Sequence, residues 1–389
     1  MKSYPTYLDH NATTPCHPTV LEAMMPYFGT HFGNASSSHH PYGWMAEEAV
    51  EMAREQVAEL IGAQAKEIVF TSGATEAINL AIRGVAWANK AKGNHLITLE
   101  TEHSAVLDTM KSLSKQGFEI SYLPVNEDGL VSQELLKKTF RKTTILLAAM
   151  FANNETGLVL PVGEMAAMAK QNEVLFFTDG VQAVGKIPVD VREAGIDLMA
   201  LSAHKMYGPK GVGALYLRKS QPHIALEPQI TGGGQETGRR SGTLNVPGIV
   251  GLGKAAELAL NEFQEDALRL SALRDELEEG LLQISGSEVN GSRKNRLPHV
   301  SNISFKGIPG KPFLLRINKG LAVSSGAACS SITDKPSHVL TSMGLDAETA
   351  MATLRFSLGK STNSEDIAHA IDWVREVHRD LKQSSVSYS

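Results

Sequence analysis

From about residue 68 the chain alternates short apolar, β-branched runs with helical stretches, and no other feature restricts its fold as much. Ile68-Val69-Phe70 leads into Gly73-Ala74-Thr75-Glu76 and a helix; His95 to Leu99 leads into a helix near Ser104 to Gln116. Further strands are predicted at Glu119 to Pro124, Thr144 to Met150, Val174 to Thr178, Asp197 to Leu201 and Val212 to Leu217, with helices in most of the gaps. Such a repeat builds an α/β fold, a mostly parallel sheet covered on both faces. Ligands then sit at the carboxyl ends of the strands. Trp44 to Ile61 carries Ala49, Ala53, Val57, Leu60 and Ile61 at helical spacing and stops at Gly62, which marks a packing helix without chemistry. A long helical stretch from Ile249 to about Ser285 is expected to leave this large domain and enter a smaller one. Strands at Val300 to Phe305 and Leu321 to Ser324 and a final helix over 362–382 follow.

Bulk properties remove several function classes. The 389 residues suffice for two moderate domains, and a net charge of −5 gives no general reason to expect nucleic acid. The N-terminal stretch has no apolar core of leader length, and the longest apolar run, Ile145 to Ala152, is far too short to span a bilayer. Cys16 and Cys329 are the only cysteines, too few for a disulfide framework, so a reducing cytoplasm is expected. No motif calls for a metal.

The polar motifs follow the strands. Lys205, in Ser202-Ala203-His204-Lys205-Met206-Tyr207-Gly208, comes just after an apolar run. At a strand end a lysine faces a cavity, where desolvation lowers its pKa and a neutral amine can form a Schiff base. Ser202 and His204 beside it suit a phosphate. This is a plausible anchor for pyridoxal phosphate, whose protein partners are a Schiff-base lysine and an acid on the ring nitrogen; a surface lysine before a turn is the alternative. Asp179 ends the run Val174 to Thr178 and would pair with a protonated ring nitrogen or else cap the next helix. Gln182 is placed to reach a ring hydroxyl. Ala74 and Thr75 open a helix whose N–H groups can hold phosphate. His103 follows a strand and is either a ring-stacking proton carrier or a structural hydrogen bonder. Asn154, in Asn153-Asn154-Glu155, offers amide contacts or simply a turn. Arg355 lies between apolar neighbours, and its guanidinium needs an anion, either a substrate carboxylate or an internal acid. Cys329 stands in the small-residue run Ser324 to Ser331, where a thiol is reachable, whereas Cys16 reads as structural.

Taken in order, these motifs resemble the cysteine desulfurases, pyridoxal-phosphate enzymes of the class V aminotransferase group with fold type I. The likeness runs from Tyr7-Leu8-Asp9 and Ala12-Thr13-Thr14-Pro15 through Gly33-Asn34, Thr101-Glu102-His103, Gly232-Gly233-Gly234 and Arg240-Ser241-Gly242-Thr243 to Ser357-Leu358-Gly359. The Ser324 to Ser331 run resembles the long-loop subgroup, the IscS/NifS type. The chain departs from many relatives at Ala35, Gly180 and Ala327, none of them a proposed reacting group.

The resemblance implies a large cofactor domain over about 15–260 and a small α+β domain made of 1–14 and 261–389. It implies that Lys205 is the Schiff-base lysine and proton shuttle, Asp179 the partner of the ring nitrogen and His103 the stacking ring. Gln182 would contact the ring hydroxyl; Ala74, Thr75, Ser202 and His204 would surround the phosphate, with Thr243 reaching in from a second subunit of a homodimer. Asn154 and Arg355 would hold the carboxylate of L-cysteine, and Cys329 would take its sulfur as a persulfide, leaving L-alanine. A sulfur-acceptor protein, an iron–sulfur scaffold or a sulfur relay, is implied as partner. Docking through a long C-terminal tail, as in the iron–sulfur housekeeping members, is not expected.

Overall fold

The structure is a computed structural model that describes residues 4–219, 223–325 and 335–386. A short strand, β1 (Thr6–Tyr7), opens it. The principal sheet comes next: β2 (Ile68–Thr71), β3 (His95–Leu99), β4 (Glu119–Leu123), β5 (Thr144–Ala148), β6 (Leu175–Asp179), β7 (Leu198–Ser202) and β8 (Gly213–Leu217). Their spatial order is β2-β8-β7-β6-β5-β3-β4, and β8 is antiparallel to both of its neighbours. The expected mostly parallel sheet is present, and the exception has a local cause. The connection 203–212 between β7 and β8 is shorter than the dozen or so residues a parallel crossover needs, so the chain folds straight back. The crossover between β6 and β7, also expected to be helical, runs through turns instead.

Side-chain alternation packs the two faces of the sheet. Phe70, Leu147, Phe176 and Leu201 face one apolar core, shared with the helices Pro41–Leu60 and Val246–Leu281. Their chain neighbours Val69, Leu146, Phe177 and Ala200 face the other, under the helices Ala74–Ala88 and Ser104–Ser114. This is the two-residue period of a strand buried on both sides.

The remaining strands are β9 (Ser287–Val289), β10 (Val300–Phe305), β11 (Leu321–Ala322), β12 (Ser324–Ser325) and β13 (Thr353–Ser357). Four of them form an antiparallel sheet in the order β12-β13-β10-β9, while β11 pairs with β1. The single strand expected over Leu321 to Ser324 is thus two short ones in different sheets. A third core gathers Leu8, Leu270, Leu277, Phe305, Phe313, Phe356 and Val374. The long helix gives Val246 to Ala259 to the first core and Leu270 to Leu281 to the third. Leu297 and Val300 pack on the first core although they come after that helix. No helix among the described residues is long and apolar enough to cross a membrane.

Candidate active site

The parallel strands leave β3 and β5 side by side while the chain runs outward in opposite directions from them, to β4 and to β6. Their carboxyl ends border a crevice, the usual place for a ligand in such a sheet. A cavity of about 580 Å³ opens there, lined among others by Ala74, Thr75, His103, Asn154, Asp179, Gln182, Ser202, His204, Lys205 and Arg355. Ten residues singled out from the sequence therefore meet in one cavity. Thr243 does not line it within a single chain; it is exposed on the loop before the helix Val246–Leu281. Cys329 lies outside the described residues.

Lys205 ends the tight turn after β7, and its Nζ donates to the carbonyls of Asn11 (2.6 Å) and Ala12 (2.7 Å). Asp179 is buried at the end of β6, where one carboxylate oxygen accepts from the Val181 N–H at 3.0 Å. The chain enters turns rather than an α-helix after it, so the capping role considered for it has no helix to serve. Burial raises its pKa, and His103, the Val181 N–H and Lys205 pull it back. A buried carboxylate with spare acceptor capacity on a cavity fits a cationic ring N–H. His103 caps the helix Ser104–Ser114 and accepts the Ala105 N–H on Nδ1 at 3.1 Å, which in the neutral ring leaves the proton on Nε2. Behind it Glu102 is fully buried; Met150 N–H holds one oxygen at 2.6 Å, and burial drives its pKa well up.

One end of the cavity is built from backbone. Gly73 starts the helix Ala74–Ala88 without a side-chain cap, so its first N–H groups are available to an anion. Gly213 permits this loop to approach: a Cβ there would lie 2.8 Å from Gly73 Cα and 2.5 Å from the Leu201 carbonyl oxygen. His204 contacts the Thr13 hydroxyl at 3.1 Å. Burial, reinforced by Lys205, Lys210 and Lys186, lowers its pKa to about 4, and a bound anion would draw it back up. With Asp179 at one end and this cradle at the other, the cavity fits pyridoxal phosphate.

At the far wall Arg355 is buried on β13. Its Nη2 meets Asp9 Oδ1 and Ser324 Oγ, each at 2.7 Å, and its Nη1 donates to the Asn154 carbonyl at 2.9 Å. Of the two anions considered for it, the chain alone supplies the internal one. Asn153 serves the turn, its side-chain oxygen accepting from Glu155 and Thr156, which leaves Asn154 as the cavity residue of the pair.

Sequence reasoning assigned no role to Asp9, Asn11, Ala12, Lys186 or Ser324. Asp9 to Ala12 fall in a polar stretch without strand or helix periodicity, a hint that their backbone groups have distant partners. Lys186 comes four residues after Gln182, the one signal of their contact. Cys16, partly packed on the first core, has its thiol pKa raised by burial, as suits an inert residue. Among the described residues no His, Cys, Asp and Glu group has the makings of a metal site.

Comparison with known proteins places the chain. The family model "Aminotransferase class-V" matches residues 6–369. The chain is 51% identical over 385 residues to a protein named cysteine desulfurase IscS from Anaeromyxobacter dehalogenans (strain 2CP-C), covering 99% of this chain and 95% of the relative. A solved NifS-like protein superposes with a TM-score of 0.90 at 38% identity, over 97% of this chain and all (100%) of that one. A structure titled "SspA in complex with cysteine" gives a TM-score of 0.81 at 37% identity, over 91% of this chain and 98% of its own.

Proposed function

The chain belongs to the class V aminotransferase family and, within it, to the cysteine desulfurases, and from that premise we propose that it converts L-cysteine to L-alanine and receives the sulfur on Cys329 as a persulfide. One observation carries the reading: Lys205, Asp179 and Arg355 line a single cavity that fits pyridoxal phosphate.

Bound there, the cofactor supplies an electron sink for the substrate's α-carbon. Asp179 holds the ring nitrogen's proton, and His103 covers the ring. Ser202, His204, Thr75 and the N–H groups from Ala74 onward hold the phosphate. Arg355 and Asn154 orient the substrate carboxylate, which fixes the α-C–H toward Lys205. Lys205 Nζ takes that proton and returns it. Cys329 thiolate then attacks the substrate Sγ; an S–S bond forms as Cβ–Sγ breaks, the electron pair stays with the carbon fragment, and protonation yields alanine.

We further propose the domain division at 15–260 against 1–14 and 261–389, a cytoplasmic setting and a homodimer. The exposed Met25, Phe28, Phe32 and Trp44 support the homodimer, in which the exposed Thr243 would complete a neighbour's phosphate site. The persulfide passes to an acceptor protein, an iron–sulfur scaffold or a sulfur relay.

Intact-mass spectrometry after brief exposure to L-cysteine without reductant tests this. Wild type should gain one sulfur and release alanine, and Cys329→Ala should keep the cofactor's colour but gain none. Amino transfer to a keto acid with no sulfur gain would make the protein an ordinary aminotransferase instead.

A further inference from the structure

Lys186 lies within the turns after β6 and does not line the main cavity. A small chamber of about 40 Å³ is lined by Lys186, Lys205, His10 and His299 among others. Lys186 Nζ donates to Gln182 Oε1 at 2.6 Å. Gln182 Nε2 in turn donates to the Asn11 carbonyl at 3.1 Å, the same oxygen that accepts from Lys205 Nζ at 2.6 Å.

These contacts leave the carboxamide one orientation. A backbone carbonyl only accepts, and the lysine amine has N–H groups to donate whether or not it is charged. Reversing the amide would set Oε1 against the Asn11 oxygen, a repulsive contact, and take from Nζ the acceptor it now has. One Nε2 proton is committed to Asn11, and the other is left for the cavity that Gln182 lines. We propose that Lys186 is a positioning residue that locks Gln182 as a hydrogen-bond donor to an oxygen on the cofactor's ring edge.

The charges around Lys186 make its presence there costly. Lys205 on the turn after β7, Arg355 on β13 and the histidines His10, His204 and His299 surround it, and none offers a negative charge. Asp266, on the chamber's outer wall, is paired with Lys360 and Arg269. Burial first, then Lys205 and Arg355, push the Lys186 pKa well down. A lysine with no acid partner among the described residues is an expensive filler for such a place, and fixing Gln182 gives it a use.

The inference rests on the pyridoxal-phosphate reading, and its test separates the two. The visible absorption of the full-length holoenzyme is titrated with pH in wild type, Lys186→Met, Gln182→Leu, the double variant and Lys186→Gln. A donor stabilises negative charge on the ring oxygen and so lowers the midpoint at which the bound cofactor gives up its proton. Losing a hydrogen bond to a charged group is expected to raise that midpoint by about one pH unit in Lys186→Met. Gln182→Leu should shift it alike, the double variant no further, and Lys186→Gln, which keeps an N–H donor, should stay near wild type. An unchanged midpoint in Lys186→Met, or additive shifts in the double variant, would overturn the proposal. If circular dichroism shows Lys186→Met unfolded, an unshifted Gln182→Leu overturns it equally. A wild type with no visible band would instead refute the cofactor reading itself.

Discussion

Arg355→Lys isolates what the guanidinium does that a charge alone cannot. The arginine side chain is 6% exposed and its Nη2 is shared by Asp9 Oδ1 and Ser324 Oγ, while Nη1 serves the Asn154 carbonyl. A substrate carboxylate must join or displace these groups, and the planar fork can hold two oxygens at once. An ammonium in its place keeps the cation and remains near Asp9, so the site is not left with an unpaired acid. It loses one charge-assisted hydrogen bond to the substrate, worth about 1.5–3 kcal/mol, or roughly a 10- to 150-fold fall in kcat/KM. The carboxylate is bound before and during the reaction, so the binding loss should appear in KM, with any loss of the α-C–H orientation toward Lys205 appearing in kcat as well. Alanine release measured against L-cysteine concentration gives both constants. Cysteamine, which lacks the carboxylate, supplies the control: wild type should prefer L-cysteine strongly and the variant much less. A KM equal to wild type, with the preference for L-cysteine over cysteamine unchanged, would refute carboxylate binding at Arg355.

Two further predictions concern the scaffold. Arg54 and Glu236 form a buried bidentate pair at 2.8 Å on both arms, and Glu236 also accepts the Phe70 N–H at 2.7 Å. Arg54→Ala strands that carboxylate and should cost about 3–5 kcal/mol in urea unfolding; a loss below about 1 kcal/mol, the range of a surface pair, would contradict it. His95 is fully buried between Thr144 Oγ1 (2.7 Å) and Ser121 Oγ (2.8 Å), and burial, helped by Arg141, lowers its pKa to about 4. The unfolded chain therefore takes up this proton first, so the contribution is whole above about pH 6.5 and is lost as pH falls toward 4. The urea midpoint of His95→Gln should fall less steeply over that window than that of wild type; equal slopes would count against the assignment.

The sheet was legible because its signal is local. Adjacent residues such as Phe176 and Phe177 go to opposite cores, so a strand buried on both faces reads as an unbroken apolar run. Motifs at strand ends then fall at one edge without further information, which is why Lys205, Asp179 and His103 could be placed together. What the sequence does not encode locally is which distant group answers a buried charge. Arg355 plainly needed an anion, yet Asp9 lies at the other end of the chain and meets it only because Asp9 bridges to Ser357 and Ser324 pairs with Arg355. Thr243 is a different case: the task proposed for it belongs to a neighbouring subunit, which a single chain does not display.

The polar N-terminal stretch has a consequence for how the site works as a unit. Leu8 is anchored in the third core, while the Thr14 hydroxyl donates to the His204 carbonyl and accepts the Tyr207 N–H beside the lysine turn. Between them, Asp9 holds Arg355, the Asn11 N–H donates to Ser357, and the carbonyls of Asn11 and Ala12 hold Lys205. One short segment therefore touches Arg355, Lys205 and, through Gln182, the other side of the cavity. Its backbone can shift little without disturbing all three, because each contact is a hydrogen bond to a buried or half-buried group. A stretch with no regular structure thus sets the relative position of two groups held on separate sheets, and in the proposed reaction that spacing would set the reach of Lys205 to the substrate's α-proton.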